Sequence, residues 1–161
     1  MDEKTIRKDR MRYTKNTTSS SFALLAILFN VFYFVSIYRS DVGSYYYTWL
    51  TGASIIYNLV FMLVVFLCSE GVKLYNFNYS VTMIIVGALQ IVRIFIIPRK
   101  AATTILQVGE EERAAMLAPQ HVRVICFLLI SSAFLIVGGI IGIIKGETLR
   151  AYQKSLENKA A

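Results

Sequence analysis

Four long apolar stretches, separated by polar segments, dominate the pattern of hydrophobic and polar positions along the chain. They cover residues 21–38, 49–68, 80–97 and 124–144. Each is close to the roughly 20 apolar residues that an α-helix needs to cross a bilayer. Strands or irregular backbone exposed to lipid would leave peptide groups without hydrogen bonds, so all four stretches are predicted to be helices. The pattern therefore predicts an all-α membrane protein, a bundle of four antiparallel transmembrane helices.

The first two connections between these spans are predicted to be tight turns, at residues 39–48 and 69–79, and both are rich in aromatic residues. Amphipathic rings commonly lie at the level of the lipid headgroups, so we interpret them as interfacial belts. For the first of these belts, a platform for an aromatic ligand is the alternative. The belts comprise Tyr45, Tyr46, Tyr47, Trp49, Tyr75, Phe77 and Tyr79.

The longest connection, residues 98–123, joins the third and fourth spans. Pro98 is predicted to end the third helix, because proline has no amide hydrogen and disfavours helical geometry in the residue before it. Residues 103–108 alternate weakly between polar and apolar, as in a short strand. Residues 110–118 have the acidic start of a short helix that would end at Pro119. The pattern favours neither the hairpin nor this helix.

Composition and charge agree with a membrane location. Of the 161 residues, 56% are hydrophobic and only 17% are charged. The net charge is +7, but the basic residues concentrate in an N-terminal tail, residues 1–20, and a C-terminal tail, residues 145–161. Basic segments beside apolar spans contact anionic lipid headgroups, so we expect no nucleic-acid partner. The expected partners are the lipid bilayer and either another membrane protein or further copies of this chain.

The distribution of Lys and Arg predicts the orientation. An even number of spans places both termini on one side, and no cleavable signal peptide is evident. With the termini inside, the inner segments hold eleven basic residues and the outer loops, including residues 98–123, hold five. The positive-inside rule then places both tails in the cytoplasm. We expect a multi-pass protein of the plasma membrane, although Arg99 and Lys100 run against the rule locally.

Polar side chains recur at one depth in all four spans. An amide side chain lies near the centre of each of the first three spans, and two serines lie at a similar depth in the fourth. An arginine on the third span lies only about 6 Å from the bilayer centre, at 1.5 Å per residue. This intramembrane polar layer comprises Asn30, Asn58, Gln90, Arg93, Ser131 and Ser132.

The polar layer allows three interpretations. In the first, the amides hydrogen-bond across the bundle while the long side chain of Arg93 extends to the outer headgroups. In the second, the layer lines a cavity open to the outside, where Arg93 attracts an anion. In the third, Arg93 pairs with an acidic residue of another subunit. No Asp, Glu or His lies inside the four predicted spans, so a proton relay or an intramembrane metal site is not expected.

Glycines recur at every fourth position along the last span and its continuation, at Gly138, Gly142 and Gly146. Small residues at this spacing let two helices approach closely. The pattern predicts a helix-packing ridge without identifying the helix that packs on it.

The sequence contains no motif for catalysis, metal binding or a cofactor. Cys68 and Cys126 fall near opposite membrane faces, so no disulfide between them is expected. His121 with the glutamates at 110–112 is the only constellation that an enzyme could use, and a histidine beside a span is more commonly an interfacial residue. No catalytic residue, metal ligand or cofactor is predicted, and the protein is not expected to be an enzyme.

The favoured functional hypothesis is a small membrane protein that serves as an accessory or scaffolding subunit through helix–helix contacts. The alternative is a small transporter or channel, with the polar layer around Gln90 and Arg93 lining the path. Because four spans rarely enclose a pore, that alternative requires an oligomer.

Overall fold

The computed structural model describes residues 3–38, 48–96, 98–99, 105–108, 111–114 and 116–160. Over these residues the chain forms five helices and one β-hairpin. In chain order the elements are α1 (Glu3–Met11), α2 (Thr17–Tyr38), α3 (Thr48–Lys73), α4 (Phe77–Ile94), β1 (Ile105–Val108), β2 (Glu111–Ala114) and α5 (Ala118–Ala160).

The predicted antiparallel bundle of four transmembrane helices is confirmed, since α2, α3, α4 and α5 are each long and apolar enough to cross a membrane. Local capping sets two of the helix starts. The Asn16 side chain accepts a hydrogen bond from the Ser19 amide at the start of α2, and Asn76 accepts one from the Asn78 amide at the start of α4. At its other end α4 stops at Ile94, slightly earlier than predicted and before Pro98.

The connection between α4 and α5 contains the hairpin that was one of the two expectations. β1 and β2 pair antiparallel, with Ile105 opposite Ala114 and Val108 opposite Glu111. The alternative helix over residues 110–118 is wrong, because Glu111–Ala114 form the strand β2. Pro119 does not end a helix either. It lies in the first turn of α5, where an amide hydrogen has no partner within the helix and proline costs little.

The helix α5 is the element around which the bundle packs. It contacts α4 and α2 most extensively, whereas α3 packs against α2 and less against α4. The glycine ridge makes these approaches possible. A Cβ added at Gly138 would lie 2.8 Å from the Phe22 Cβ, and one added at Gly142 would lie 2.5 Å from the Ser80 Oγ. Gly146 faces the carbonyl of Tyr75. The structure thus places α2 and α4 of the same chain on the ridge.

Two apolar clusters fill the bundle interior, one on each side of the polar layer. The first comprises Tyr33, Ile37, Met116, Val124 and Leu128. The second comprises Ala23, Ala26, Phe61, Val65, Cys68, Val72, Met83 and Leu135. Cys68 is buried, Cys126 is exposed, and both are free thiols.

The bundle has two dissimilar ends. We call one the termini face: it carries α1, the turn between α3 and α4, and the C-terminal half of α5, which α1 contacts. The other is the hairpin face, which carries β1 and β2. Of the aromatic belts, Tyr75, Phe77 and Tyr79 lie at the termini face. Tyr45, Tyr46 and Tyr47 lie outside the described residues, and so does the side chain of Trp49.

Candidate functional site

The structure brings four residues of the polar layer together between α2, α3 and α4. Asn30, Asn58 and Gln90 are fully buried, and Arg93 is 5% exposed. The Arg93 Nη1 donates to the Asn58 Oδ1 at 2.9 Å and lies 3.4 Å from the Asn30 Oδ1. Each of these three helices therefore supplies a side chain to one hydrogen-bonded group, which we call the polar cluster.

The amides of the polar cluster are also joined to one another. Gln90 donates from Nε2 to the Asn30 Oδ1 at 3.1 Å, and Asn30 donates from Nδ2 to the Asn58 Oδ1 at 3.3 Å. The Nδ2 of Asn58 donates to the Ser54 carbonyl at 2.9 Å. With both donors and acceptors engaged, the amides avoid the cost of a buried polar group without a partner.

Two tyrosine rings flank the guanidinium of Arg93. The Arg93 Cζ lies 4.3 Å from the centre of the Tyr33 ring and 4.7 Å from that of the Tyr57 ring. Both distances are within the range of a cation–π interaction, which gains strength away from water. Neither tyrosine was predicted to be part of the site. One signal was present: Tyr33 lies three residues after Asn30, so the two share a face of α2.

The side chain of Arg93 thus turns into the bundle. The first interpretation expected it to extend toward the outer headgroups, and it does not. A guanidinium at this depth costs about 3 kcal/mol or more in lipid. Amide oxygens and aromatic faces within reach offset that cost, because hydrogen bonds from a charged donor are roughly twice as strong as neutral ones. The depth of Arg93 was counted along its own span, so it could not include the hydrogen-bond partners that neighbouring helices supply.

The serines of the polar layer have a different role. The Ser131 Oγ donates to the Ala26 carbonyl at 2.9 Å, and the Ser132 Oγ donates to the Gly87 carbonyl at 2.7 Å. They link α5 to α2 and α4 through backbone groups. The structure places them at a similar depth without hydrogen bonds to the amide side chains of the polar cluster.

A groove of about 200 Å³ lies between α3 and α4, beside the polar cluster. Its lining is almost entirely apolar, and the polar cluster contributes only the edge of Arg93. We call it the α3–α4 groove; it is lined by Ser54, Tyr57, Leu89, Val92, Arg93 and Ile96. A small, mainly apolar group with one polar atom would fit its chemistry.

No cluster of His, Cys, Asp and Glu suited to a metal ion occurs among the described residues. His121 lies in the first turns of α5 and is half-buried. Glu110 lies outside the described residues, as do the side chains of Glu111 and Glu112, so the histidine–glutamate constellation is not built by the described part of the chain.

Comparison with known proteins adds no family: no family model, no curated protein and no solved structure matches this chain. Its function is therefore inferred from the bundle and its polar groups.

Proposed function

We propose that this small integral membrane protein has no catalytic chemistry and acts as an accessory or scaffolding subunit, through contacts with the helices of another membrane protein. The observation that supports this is the enclosed polar cluster. Its amides are fully buried and hydrogen-bonded to one another and to Arg93. The polar cluster therefore holds α2, α3 and α4 together. Because its polar atoms bond to one another inside the bundle, we infer that the protein acts through its outer surface.

The helix α3 offers the surface on which a partner helix would pack. It contacts α2 and part of α4, and its outward side carries a band of large, exposed apolar side chains. The band comprises Ile56, Leu59, Val60, Leu63, Phe66 and Leu67. In a membrane such a face gains stability from close van der Waals packing with another helix rather than from exclusion of water.

A photo-cross-linking amino acid at Leu63 tests this proposal in native membranes at native expression level. Leu63 is 58% exposed on α3, and Ile140, 44% exposed on α5, is the matched lipid-facing control. We expect one discrete protein adduct from position 63 and lipid adducts alone from position 140. Lipid adducts alone from both positions, together with purification as a lone monomer, would contradict the accessory-subunit proposal.

We also propose that the termini face lies in the cytoplasm and that the membrane is the plasma membrane, as the distribution of basic residues favours. In a variant with Cys68→Ala and Cys126→Ala, a cysteine at the exposed Ser155 should react with a membrane-impermeant maleimide only after cell lysis. A cysteine at the exposed Leu117, near the hairpin face, should react in intact cells. The reverse pattern would invert the topology.

The α3–α4 groove supports a second candidate function, an oligomeric transporter or channel. Arg93 at the edge of the groove would attract an anion if a neighbouring subunit completed the path. Anion flux into liposomes by the unaltered protein tests this directly. Flux that is lost in both Arg93→Gln and the groove-filling Leu89→Trp would support transport and count against the accessory role. Absence of flux in the unaltered protein removes the candidate.

A further inference from the structure

A second concentration of positive charge lies at the termini face, far from the polar cluster. It surrounds a pocket of about 260 Å³ between α1, the start of α2, the turn after α3 and the C-terminal half of α5. Four cationic side chains line this basic pocket, and none of the described residues that line it is acidic. The cations are Arg7, Arg10, Lys15 and Lys145.

Lys145 is held in place by hydrogen bonds. Its Nζ donates to the Asn16 Oδ1 and to the Thr18 Oγ1, both at 3.1 Å. Asn16 is itself almost fully buried. Its backbone N–H donates to the Lys73 carbonyl at 3.0 Å, and its side-chain Nδ2 donates to the Ser19 Oγ at 2.8 Å. One cation of the pocket is therefore fixed by a buried asparagine that joins α2 to the end of α3.

The arginines of the pocket come from α1. Arg7 and Arg10 lie three residues apart, so they share one face of that helix. Two acidic residues, Asp9 and Glu70, pair with cations outside the pocket: Asp9 with Arg12 at 3.4 Å and Glu70 with Lys73. Four cations around one pocket repel one another unless an anion binds among them, and the planar guanidinium suits two phosphate oxygens at once.

The position of the pocket favours a lipid headgroup as the source of such an anion. Lys145 directly follows the apolar run of α5, Thr17 begins α2, and Tyr75 lies in the turn between α3 and α4. These three residues lie at the ends of transmembrane helices, where lipid headgroups lie. Ile144 directly precedes Lys145, and Leu25 lies about two helical turns along α2 from Thr18; both are exposed and offer a surface for acyl chains.

We propose that the basic pocket binds the phosphate of an anionic phospholipid headgroup, with the acyl chains along α2 and α5. This site is independent of the proposed accessory role and of the polar cluster. It selects a lipid by charge and shape at one defined place, beyond the general attraction of a basic tail to an anionic surface.

The test is a titration of the full-length protein with phosphatidylglycerol, read by native mass spectrometry from phosphatidylcholine-containing micelles. We expect one phosphatidylglycerol to bind at least about tenfold more tightly than phosphatidylcholine. The double variant Arg7→Gln/Arg10→Gln should lose about tenfold or more in affinity, as expected at about 1 kcal/mol for each basic residue near an anionic headgroup. The matched double variant Lys8→Gln/Arg12→Gln removes the same charge from α1 and the turn that follows it, outside the pocket, and should change affinity less than twofold.

Three outcomes would overturn the proposal. Equal losses in the two double variants would mean diffuse attraction of the lipid to the basic N-terminal segment rather than binding at a site. Equal binding of phosphatidylglycerol and phosphatidylcholine would exclude selection of anionic lipid. Competition by glycerol 3-phosphate or inorganic phosphate, at concentrations similar to those of the lipid, would assign the pocket to a soluble phosphate compound. All four of the substituted side chains are exposed, so both double variants are expected to fold.

Discussion

The polar cluster and the basic pocket both contain arginine, but they surround it differently. Arg93 lies within hydrogen-bonding distance of amide oxygens from α2, α3 and α4 and between two tyrosine rings, and it is 5% exposed. Arg7 and Arg10 are exposed, and the described lining of their pocket contains no acidic group. The protein supplies the partners of the interior cation, whereas the pocket leaves room for an anion from outside. The neighbours, and not the type of residue, determine which cation stabilises the fold and which binds a ligand.

Removal of a hydrogen-bond partner of Arg93 should cause the largest loss in the free energy of unfolding. Asn58→Leu deletes the closest described acceptor of Arg93 and leaves a buried charge with weaker contacts. We expect a loss of about 2–3 kcal/mol in the free energy of unfolding, measured in mixed micelles. That exceeds the average of about 0.6 kcal/mol for an interhelical hydrogen bond in a membrane protein, because the remaining donor is charged.

Two further variants sharpen this prediction. Ser132→Ala removes a neutral hydrogen bond at similar depth and should cost only about 0.6 kcal/mol. The double variant Asn58→Leu/Arg93→Met removes the charge together with its partner and should be more stable than Asn58→Leu alone by at least about 1 kcal/mol. If the double variant were the less stable one, Arg93 would be stabilised by contacts that do not depend on Asn58.

A smaller loss of unfolding free energy is expected at the close approach between α4 and α5. A Cβ added at Gly139 would lie 2.7 Å from the carbonyl oxygen of Ser80, a backbone atom that cannot move aside without its helix. Gly139→Ala should therefore cost about 1–3 kcal/mol of unfolding free energy. Gly52→Ala is the control, since a Cβ there has no neighbour within 4 Å. Equal stability of the two variants would mean that α4 and α5 separate at little cost.

The smallest effect on stability is expected at the basic pocket. Arg7→Gln/Arg10→Gln changes exposed side chains, so the free energy of unfolding in phosphatidylcholine micelles should stay within about 0.5 kcal/mol of the unaltered protein. Added phosphatidylglycerol should then raise the melting temperature of the unaltered protein more than that of the double variant. A large loss of stability without anionic lipid would show that these arginines serve the fold, as Arg93 does.

Hydropathy predicted the bundle well because the bilayer sets the length of a span and requires its backbone to be helical. The shared depth of Asn30, Asn58 and Gln90 could be read from their positions within the spans. Depth could not show where the Arg93 side chain turns, because that depends on the rotation of each helix and on rings from two other helices. The hydroxyls of Ser131 and Ser132 have the same depth but donate to backbone carbonyls, which the sequence pattern does not reveal.

The basic pocket was invisible to sequence patterns for another reason. Its cations come from α1, from the segment before α2 and from α5, so Arg7 and Lys145 are far apart in the chain. A basic tail was expected, but its place beside Lys145 depends on the buried side chain of Asn16. The connection before α5 was ambiguous because acidic residues and Pro119 suit both a short helix and a hairpin followed by a new helix.

The length of α5 has a mechanical consequence. Its 43 residues form one continuous helix that extends about 64 Å at 1.5 Å per residue, from near the hairpin to beyond the basic pocket. A rod of that length tilted by about 5° about one end moves its other end by about 5–6 Å. A small tilt of α5 at the hairpin face would therefore displace Lys145 and the residues that follow it at the termini face.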